Sequence, residues 1–144
     1  MNRLDDIAVT VEYDGKDHVS GQSLAVLSEI ANLLENLART GESSSIDVRS
    51  LPLFPGDYAA IRETLGTGEV SARINALGPT QIQETAIPGV WWVTHFNDNE
   101  ETLAEFIEIT VVPEIIPASR DDLATAREQL QSLIRERQQS DHSL

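Results

Sequence analysis

The feature that most constrains the fold is an apolar run with helical spacing between Ser23 and Thr40. At about 100° per residue, its apolar side chains cover about half of the helix circumference, which is wider than the stripe that one core face requires. The run ends before Gly41, a residue type that commonly follows a helix C-terminus. We expect this helix to pack against a sheet on one side. On the other side it would contact a second helix or a second subunit, which would bury Val26, Ile30, Leu33 and Leu37.

Short segments in which apolar and polar residues alternate occupy much of the remaining chain. They predict strands at 7–13, 46–51, 69–76, 81–85, 90–96 and 106–112, a polar turn at 14–18, and a short helix that follows 54–57 and ends at Gly66. The connections between the later strands are short and contain glycine, proline or asparagine. Such connections favour an antiparallel meander.

A last helix is predicted after Ser119, which is suited to an N-cap and is followed by Asp121 and Asp122 in the first turn. Its narrow apolar stripe extends to about Arg137, and 138–144 is expected to be a frayed tail. Together, the segments predict a single α+β domain over 1–144, with its core at about 7–137. We expect an antiparallel sheet of three or four strands with helices mainly on one face.

Charge and composition exclude several classes of function. The 24 Asp and Glu residues against 10 Lys and Arg give a net charge of -14, so nucleic acids and anionic membranes are not expected as partners. Cysteine is absent, which excludes disulfides, cysteine nucleophiles and cysteine-held iron–sulfur clusters on this chain. Asp5 and Asp6 stand where a secretory signal would be basic and then apolar, and no apolar run is long enough to span a membrane. A cytoplasmic protein is therefore expected.

No catalytic motif stands out in the sequence. His18, His95 and His142 are scattered, and no serine lies in a Gly-x-Ser-x-Gly elbow. The glycines of 65–69 lack the following lysine that a phosphate-binding loop needs. We therefore expect neither enzymatic activity nor a bound cofactor.

The alternative is a metal carrier or a metal-dependent enzyme that uses carboxylates and histidine. His95 lies near Asp98 in the sequence, and neighbouring strands could add Glu84 or Glu105 as ligands. A second possible ligand group, Asp14, Asp17 and His18, matches no known metal-loop spacing.

An acidic interval is the feature that favours a protein partner. No Lys or Arg occurs between Arg73 and Arg120, whereas seven acidic residues do. A surface of this kind attracts a basic partner segment. Trp91 and Trp92 lie in the same interval, and successive strand residues point to opposite faces, so one indole must leave the helix-covered core. Either that indole is an exposed interface anchor, or the other face of the sheet is covered too.

Several segments resemble a known family. They are Leu51-Pro52-Leu53, Leu65-Gly66-Thr67-Gly68-Glu69-Val70-Ser71, Ile82-Gln83-Glu84-Thr85, Pro88-Gly89-Val90-Trp91 and Glu105-Phe106-Ile107-Glu108. From about Ile46 to Ala118 the chain is similar to the HupH/HyaF family of hydrogenase expression/formation proteins. The resemblance implies a non-enzymatic accessory in the maturation of nickel–iron hydrogenase that acts on the small, iron–sulfur subunit. Partners would be a hydrogenase subunit and other maturation proteins.

The resemblance also directs the expectation for the two tryptophans. Larger members of the family carry additional N-terminal sequence, and the family commonly has a polar residue where this chain has Trp92. We therefore expect Trp91 to point inward with Val93 and Trp92 to point outward. The predicted partner-binding residues are Trp92, Glu84, Glu105 and Glu108.

Overall fold

The computed structural model describes residues 20–143. The helices within this range are α1 (Gln22–Thr40), α2 (Pro55–Leu65) and α3 (Arg120–His142), and the strands are β1 (Ser44–Asp47), β2 (Ser71–Ala76), β3 (Gly78–Glu84), β4 (Val90–Phe96) and β5 (Thr102–Ile109). The strand expected at 7–13 and the turn expected at 14–18 lie outside the described residues.

The five described strands form one antiparallel sheet in the order β1-β5-β4-β3-β2. Strands β2 to β5 make the predicted meander, and β1 joins at the edge beside β5. The α+β class is confirmed. The strand count is five rather than three or four, because the segment at β1 pairs with β5 along its whole length.

The first strand is shorter than the sequence pattern indicates. Alternation predicted a strand over 46–51, but β1 ends at Asp47 and a single 3-10 turn, Val48–Ser50, follows. The Asp47 side chain accepts a hydrogen bond from the Arg49 amide at 3.1 Å, which favours a turn over extended backbone. This turn leads the chain towards α2.

The last strand begins earlier than predicted. The expected range was 106–112, whereas β5 pairs with β4 from Thr102 onward. The cause is the tight connection after β4, in which the Asn97 side chain accepts hydrogen bonds from the amides of Asn99 and Glu101. The turn is complete at Glu101, so the next residue can pair.

Helix α1 confirms the predicted range within one residue. Gly41 has a φ of 76° and its amide donates to the Leu37 carbonyl, as in a left-handed helix cap. Of the two alternatives for its second side, the structure shows burial within the chain: Val26, Ile30 and Leu37 belong to the core formed with α2, β4 and β5, and Leu33 packs against it. The second side of this helix therefore contacts α2. A homodimer stays a prediction, but this stripe is not available as its interface.

The chain divides into two compact units at Val111/Val112. The described part of the first holds the sheet, α1 and α2. The second holds α3, whose N-cap is Ser119 as predicted: its hydroxyl accepts from the Asp122 amide at 3.0 Å. The helix continues to His142, beyond residue 137 at which the apolar stripe ends, and Gln138 and Gln139, which have good helix propensity, begin this extension.

The two tryptophans are both buried, on opposite faces of β4. Trp92 is 2 % exposed and lies in the main core with α1 and α2, and Trp91 is 6 % exposed and packs on the other face with Ile82 and Val93. The expected facing of Trp92 is therefore wrong. The reversal has a direct cause: Trp92 is in phase with the inward Val90, and Trp91 with Val93.

Replacing Trp92 by alanine should therefore destabilise the fold. Loss of a buried indole from a packed core costs about 3 to 5 kcal/mol of unfolding free energy, and chemical denaturation followed by circular dichroism measures it. Leu77→Ala is the control, because Leu77 is fully exposed in the β2–β3 turn. Equal stability of the two variants would contradict the burial of Trp92.

Candidate functional site

The most organised polar group in the first unit centres on the Glu105 carboxylate. Glu105 lies on β5 in phase with Ile107 and Ile109, so it faces the helix-covered side of the sheet. On α2, Tyr58 and Arg62 are four residues apart and share one helix face. Strand alternation and helix periodicity thus direct these three side chains into the same place.

The first turn of α2 is held in position by a buried carboxylate. Asp57 accepts hydrogen bonds from the Ser20 amide at 2.6 Å, the Ser20 hydroxyl at 2.8 Å and the Phe54 amide at 3.1 Å. These bonds satisfy a charge that would otherwise be costly to bury. They also tie the start of α2 to the residues that precede α1, which fixes Tyr58 over the sheet.

One oxygen of Glu105 accepts two short hydrogen bonds. Oε1 receives the Tyr58 hydroxyl at 2.5 Å and the Trp92 indole Nε1–H at 2.7 Å. The Tyr58 and Trp92 rings meet edge to face, with centroids 5.5 Å apart. The Arg62 guanidinium carbon lies 3.9 Å from the centroid of the Trp92 ring, and Arg62 Nε donates to the Tyr58 oxygen at 3.3 Å. The four side chains form one network.

The second oxygen of Glu105 is in a different situation. Among residues 20–143, no donor lies within hydrogen-bond distance of Oε2, and no cationic side chain lies within 4 Å of the carboxylate. The whole residue is only 8 % exposed. A carboxylate held at one oxygen can use the other to bind a donor from outside.

A groove of about 420 Å³ opens beside this carboxylate. Tyr58, Glu105 and Thr102 line its polar end together with Arg49, and the remaining lining is apolar: Val48, Leu51, Leu53, Phe54 and Pro55. Arg49 donates through Nη1 to the Thr102 carbonyl at 2.5 Å. The groove thus joins an apolar wall to a carboxylate, a combination suited to a ligand with both characters.

The neighbourhood changes the acidity of Tyr58. Burial is the main cause that raises its pKa above the ordinary value of 10.0, and the hydrogen bond to Glu105 raises the pKa further. Hydrogen bonding and charge from Arg62 lower it. The neutral phenol is favoured because its hydroxyl can donate a hydrogen bond to Glu105, whereas a phenolate cannot.

The predicted partner-binding residues do not form one surface. Trp92 and Glu105 are buried on the helix-covered face, whereas Glu84 and Glu108 lie opposite Trp91 on the other face and are half-buried. Because Trp92 points inward, its side chain is not available as an exposed anchor. Tyr58 and Arg62 were missed, although their i, i+4 spacing was a usable signal, as was the phase of Glu105 with Ile107.

The alternative metal ligands are also separated. His95 lies on the Trp91 face, where its Nδ1 is 2.8 Å from the Thr80 hydroxyl and its ring contacts Phe106. Glu105 is on the opposite face of the sheet. Within 20–143, no group of three or more metal-ligating side chains is close enough to hold an ion. Asp14, Asp17 and His18 are outside the described range.

Three of the segments that carry the family resemblance, 65–71, 82–85 and 88–91, meet in space at the C-terminal end of α2. The Gly68 amide donates to the Glu84 carbonyl at 2.8 Å, the Glu84 amide donates to the Val70 carbonyl at 2.8 Å, and the Ala86 amide donates to the Leu65 carbonyl at 2.8 Å. Thr85 closes the β3–β4 turn through its hydroxyl, which donates to the Val90 carbonyl at 2.8 Å. A side chain at Gly68 would place its Cβ 2.4 Å from the Thr85 carbonyl oxygen, so only glycine fits.

Comparison with known proteins assigns the chain to a family. The model for the C-terminal conserved region of the HupH hydrogenase expression protein matches residues 21–136. The chain belongs to the HupH family. A solved structure, hydrogenase expression protein HupH from Thiobacillus denitrificans, is 44% identical, with a TM-score of 0.77 over 81% of this chain and 98% of that one.

Curated relatives of the HupH-family chain are longer proteins. Hydrogenase expression/formation protein HoxQ of Cupriavidus necator is 30% identical over 77% of this chain and 39% of the relative. Hydrogenase expression/formation protein HupH of Rhodobacter capsulatus is 32% identical over 58% of this chain and 30% of the relative. The chain thus spans well under half the length of these relatives. In the described residues, no helix is both long and apolar enough to cross a membrane.

Gly68→Ala should destabilise this member of the HupH family. The added methyl meets backbone that cannot move aside easily, and overpacking of this kind costs about 1 to 3 kcal/mol of unfolding free energy. Urea denaturation measures the loss. Gly21→Ala is the matched control, because a Cβ there meets nothing within 4 Å. A Gly68→Ala protein as stable as the control would contradict the close approach.

The raised pKa of Tyr58 predicts a late step in an alkaline titration of phenolate absorbance. The chain has two tyrosines, Tyr13 and Tyr58, and Tyr58→Phe should remove the absorbance change that occurs above the ordinary tyrosine pKa. Since folding holds the proton on Tyr58, the unfolded chain releases it first, and stability should fall as pH rises above 10.0. Tyr58→Phe should weaken this fall. A single step at the ordinary tyrosine pKa would contradict the assignment.

Proposed function

We propose that the chain is a non-catalytic accessory in the maturation of nickel–iron hydrogenase. It acts in the cytoplasm by binding an immature hydrogenase subunit, and that subunit is the small, iron–sulfur one. The observation that carries the proposal is the match of the HupH C-terminal conserved region to residues 21–136. The names of the relatives, which are hydrogenase expression or formation proteins, support the same role.

The charge of the chain supports a protein partner. A net charge of -14 disfavours nucleic acid and favours association with basic protein segments. The Glu105 network adds a preformed groove in which a carboxylate oxygen has no donor from the described residues. Binding and holding a polypeptide needs such a surface and no reacting group.

Capture of hydrogenase subunits from cells tests the proposal. An affinity-tagged chain should retain the small subunit from hydrogenase-expressing cells, and it should do so equally from cells that lack the large subunit. A tagged unrelated acidic protein of similar size is the control. Retention of neither subunit above this control would overturn the proposed function, and retention of the large subunit alone would overturn the choice of subunit.

Metal analysis of the purified chain distinguishes the proposal from a metal carrier or metal-dependent enzyme. The accessory role predicts less than stoichiometric nickel, iron and zinc in the purified protein. Stoichiometric metal that is lost in His95→Ala would favour the carrier and contradict the accessory role.

A further inference from the structure

We propose that the groove beside Glu105 binds a short segment of the partner in which a lysine or arginine adjoins an apolar side chain. The cationic head group would donate to Glu105 Oε2, and the apolar side chain would pack on Leu51, Leu53 and Phe54. This inference rests on the proposed function, because it names the site through which the chain holds another protein.

The state of the Glu105 carboxylate is the first argument. The residue is more than nine-tenths buried and lines the groove, and both of its hydrogen bonds fall on Oε1. Tyr58 and Trp92 therefore orient the carboxylate while leaving Oε2 without a donor from 20–143. Among the described residues, Oε2 is not one of the buried side-chain oxygens that lack a partner, so it is open to the groove although the residue as a whole is buried. A donor brought by a partner can therefore reach an oxygen whose position Tyr58 and Trp92 have already fixed.

The overall charge of the chain and the open Glu105 oxygen favour a cationic donor. Two arginines near the groove have partners other than Glu105. Arg49 donates to the Thr102 carbonyl, and Arg62 lies over the Trp92 ring. Neither forms an ion pair with Glu105 within 4 Å. The surrounding chain is strongly acidic overall. A lysine or arginine head group is therefore attracted by the overall charge of the chain and meets an oriented carboxylate oxygen that neither arginine occupies.

The apolar wall supplies the second half of the recognition. Phe54 is 49 % exposed at the rim, and Leu51 and Leu53 are half-buried behind it. Pro52 and Pro55 restrict the backbone of this loop, and the Leu53 amide donates to the Leu51 carbonyl at 2.8 Å. A preformed wall reduces the entropy lost on binding. An apolar side chain next to the cation can therefore bind without rearrangement of the loop.

Nuclear magnetic resonance with synthetic peptides tests the groove directly. The probe is an acetylated, amidated hexapeptide with adjacent leucine and lysine among glycines, and its matched control has norleucine in place of lysine. The chain has two tryptophans, so its two indole N–H signals report on opposite faces of the sheet. The lysine peptide should shift the Trp92 signal and leave the Trp91 signal unchanged. Absence of a Trp92 shift would overturn the proposal.

Charge removal at Glu105 separates recognition from packing. Glu105→Gln keeps a carbonyl oxygen that can accept hydrogen bonds from Tyr58 and Trp92. It should nevertheless lower the affinity for the lysine peptide by about tenfold or more, because the negative charge is lost. The norleucine peptide should bind both proteins weakly and equally. Glu35→Gln, on the exposed side of α1, makes the same charge change and should bind as the wild type does. Equal affinity of wild type and Glu105→Gln would overturn the proposal.

The same variants distinguish this inference from the proposed function. Phe54→Ala and Glu105→Gln should each reduce capture of the hydrogenase subunit, and Leu77→Ala should not. If the wild type captures the subunit and both groove variants capture it equally, the groove inference is wrong and the proposed function stands. If the lysine peptide binds at Trp92 but the wild type captures no subunit, the groove stands and the proposed function fails.

Discussion

The fold depends on a central strand that is buried on both faces. Residues Val90 to Thr94 of β4 are all shielded from solvent. Since alternate residues of a strand point to opposite faces, side chains on both faces of the sheet are covered at this strand. On one face, Trp92 joins α1 and α2. On the other, Trp91 packs with Ile82 and Val93 and donates through its indole to the Thr110 carbonyl at 3.1 Å. Both indoles are thereby removed from water and given hydrogen-bond partners.

This double burial explains which parts of the fold could be predicted. The helices α1 and α2, their glycine ends and β4 followed from periodicity, because each has a strong local signal. The facing of the tryptophans could not be predicted from a one-sided sheet. When both faces of a strand are apolar, alternation no longer identifies the face that meets the helices. The phase of each tryptophan with Val90 then determines its facing. The C-terminal end of β1 and the N-terminal end of β5 are set by turns in which the Asp47 and Asn97 side chains accept backbone hydrogen bonds. Alternation of apolar and polar residues does not reveal such turns.

The candidate site was harder to predict because it departs from the alternation of apolar and polar residues by which core positions on a strand are recognised. Glu105 occupies a position whose phase with Ile107 favours an apolar residue, whereas its acidic side chain predicts a place on an outer surface. Its cost is offset by Tyr58 and Trp92, which come from α2 and β4 and have no sequence relation to it. Only the fold brings the three together. A charged residue in core phase is therefore a better signal of a site than the density of charges around it.

The segments that carry the family resemblance lie at both ends of α2. The segments at 65–71, 82–85 and 88–91 meet at the C-terminal end of this helix, where Gly68 must approach the Thr85 backbone and Ala86 bonds to the Leu65 carbonyl. The groove begins at the N-terminal end, with Phe54 and Tyr58. The glycines thus hold the sheet against the helix and touch no ligand site. Similarity in the glycine segments specifies how the scaffold is built, whereas similarity at Leu51-Pro52-Leu53 and Glu105 falls on the lining of the groove. Two proteins could share the glycine segments in full and still bind different polypeptides.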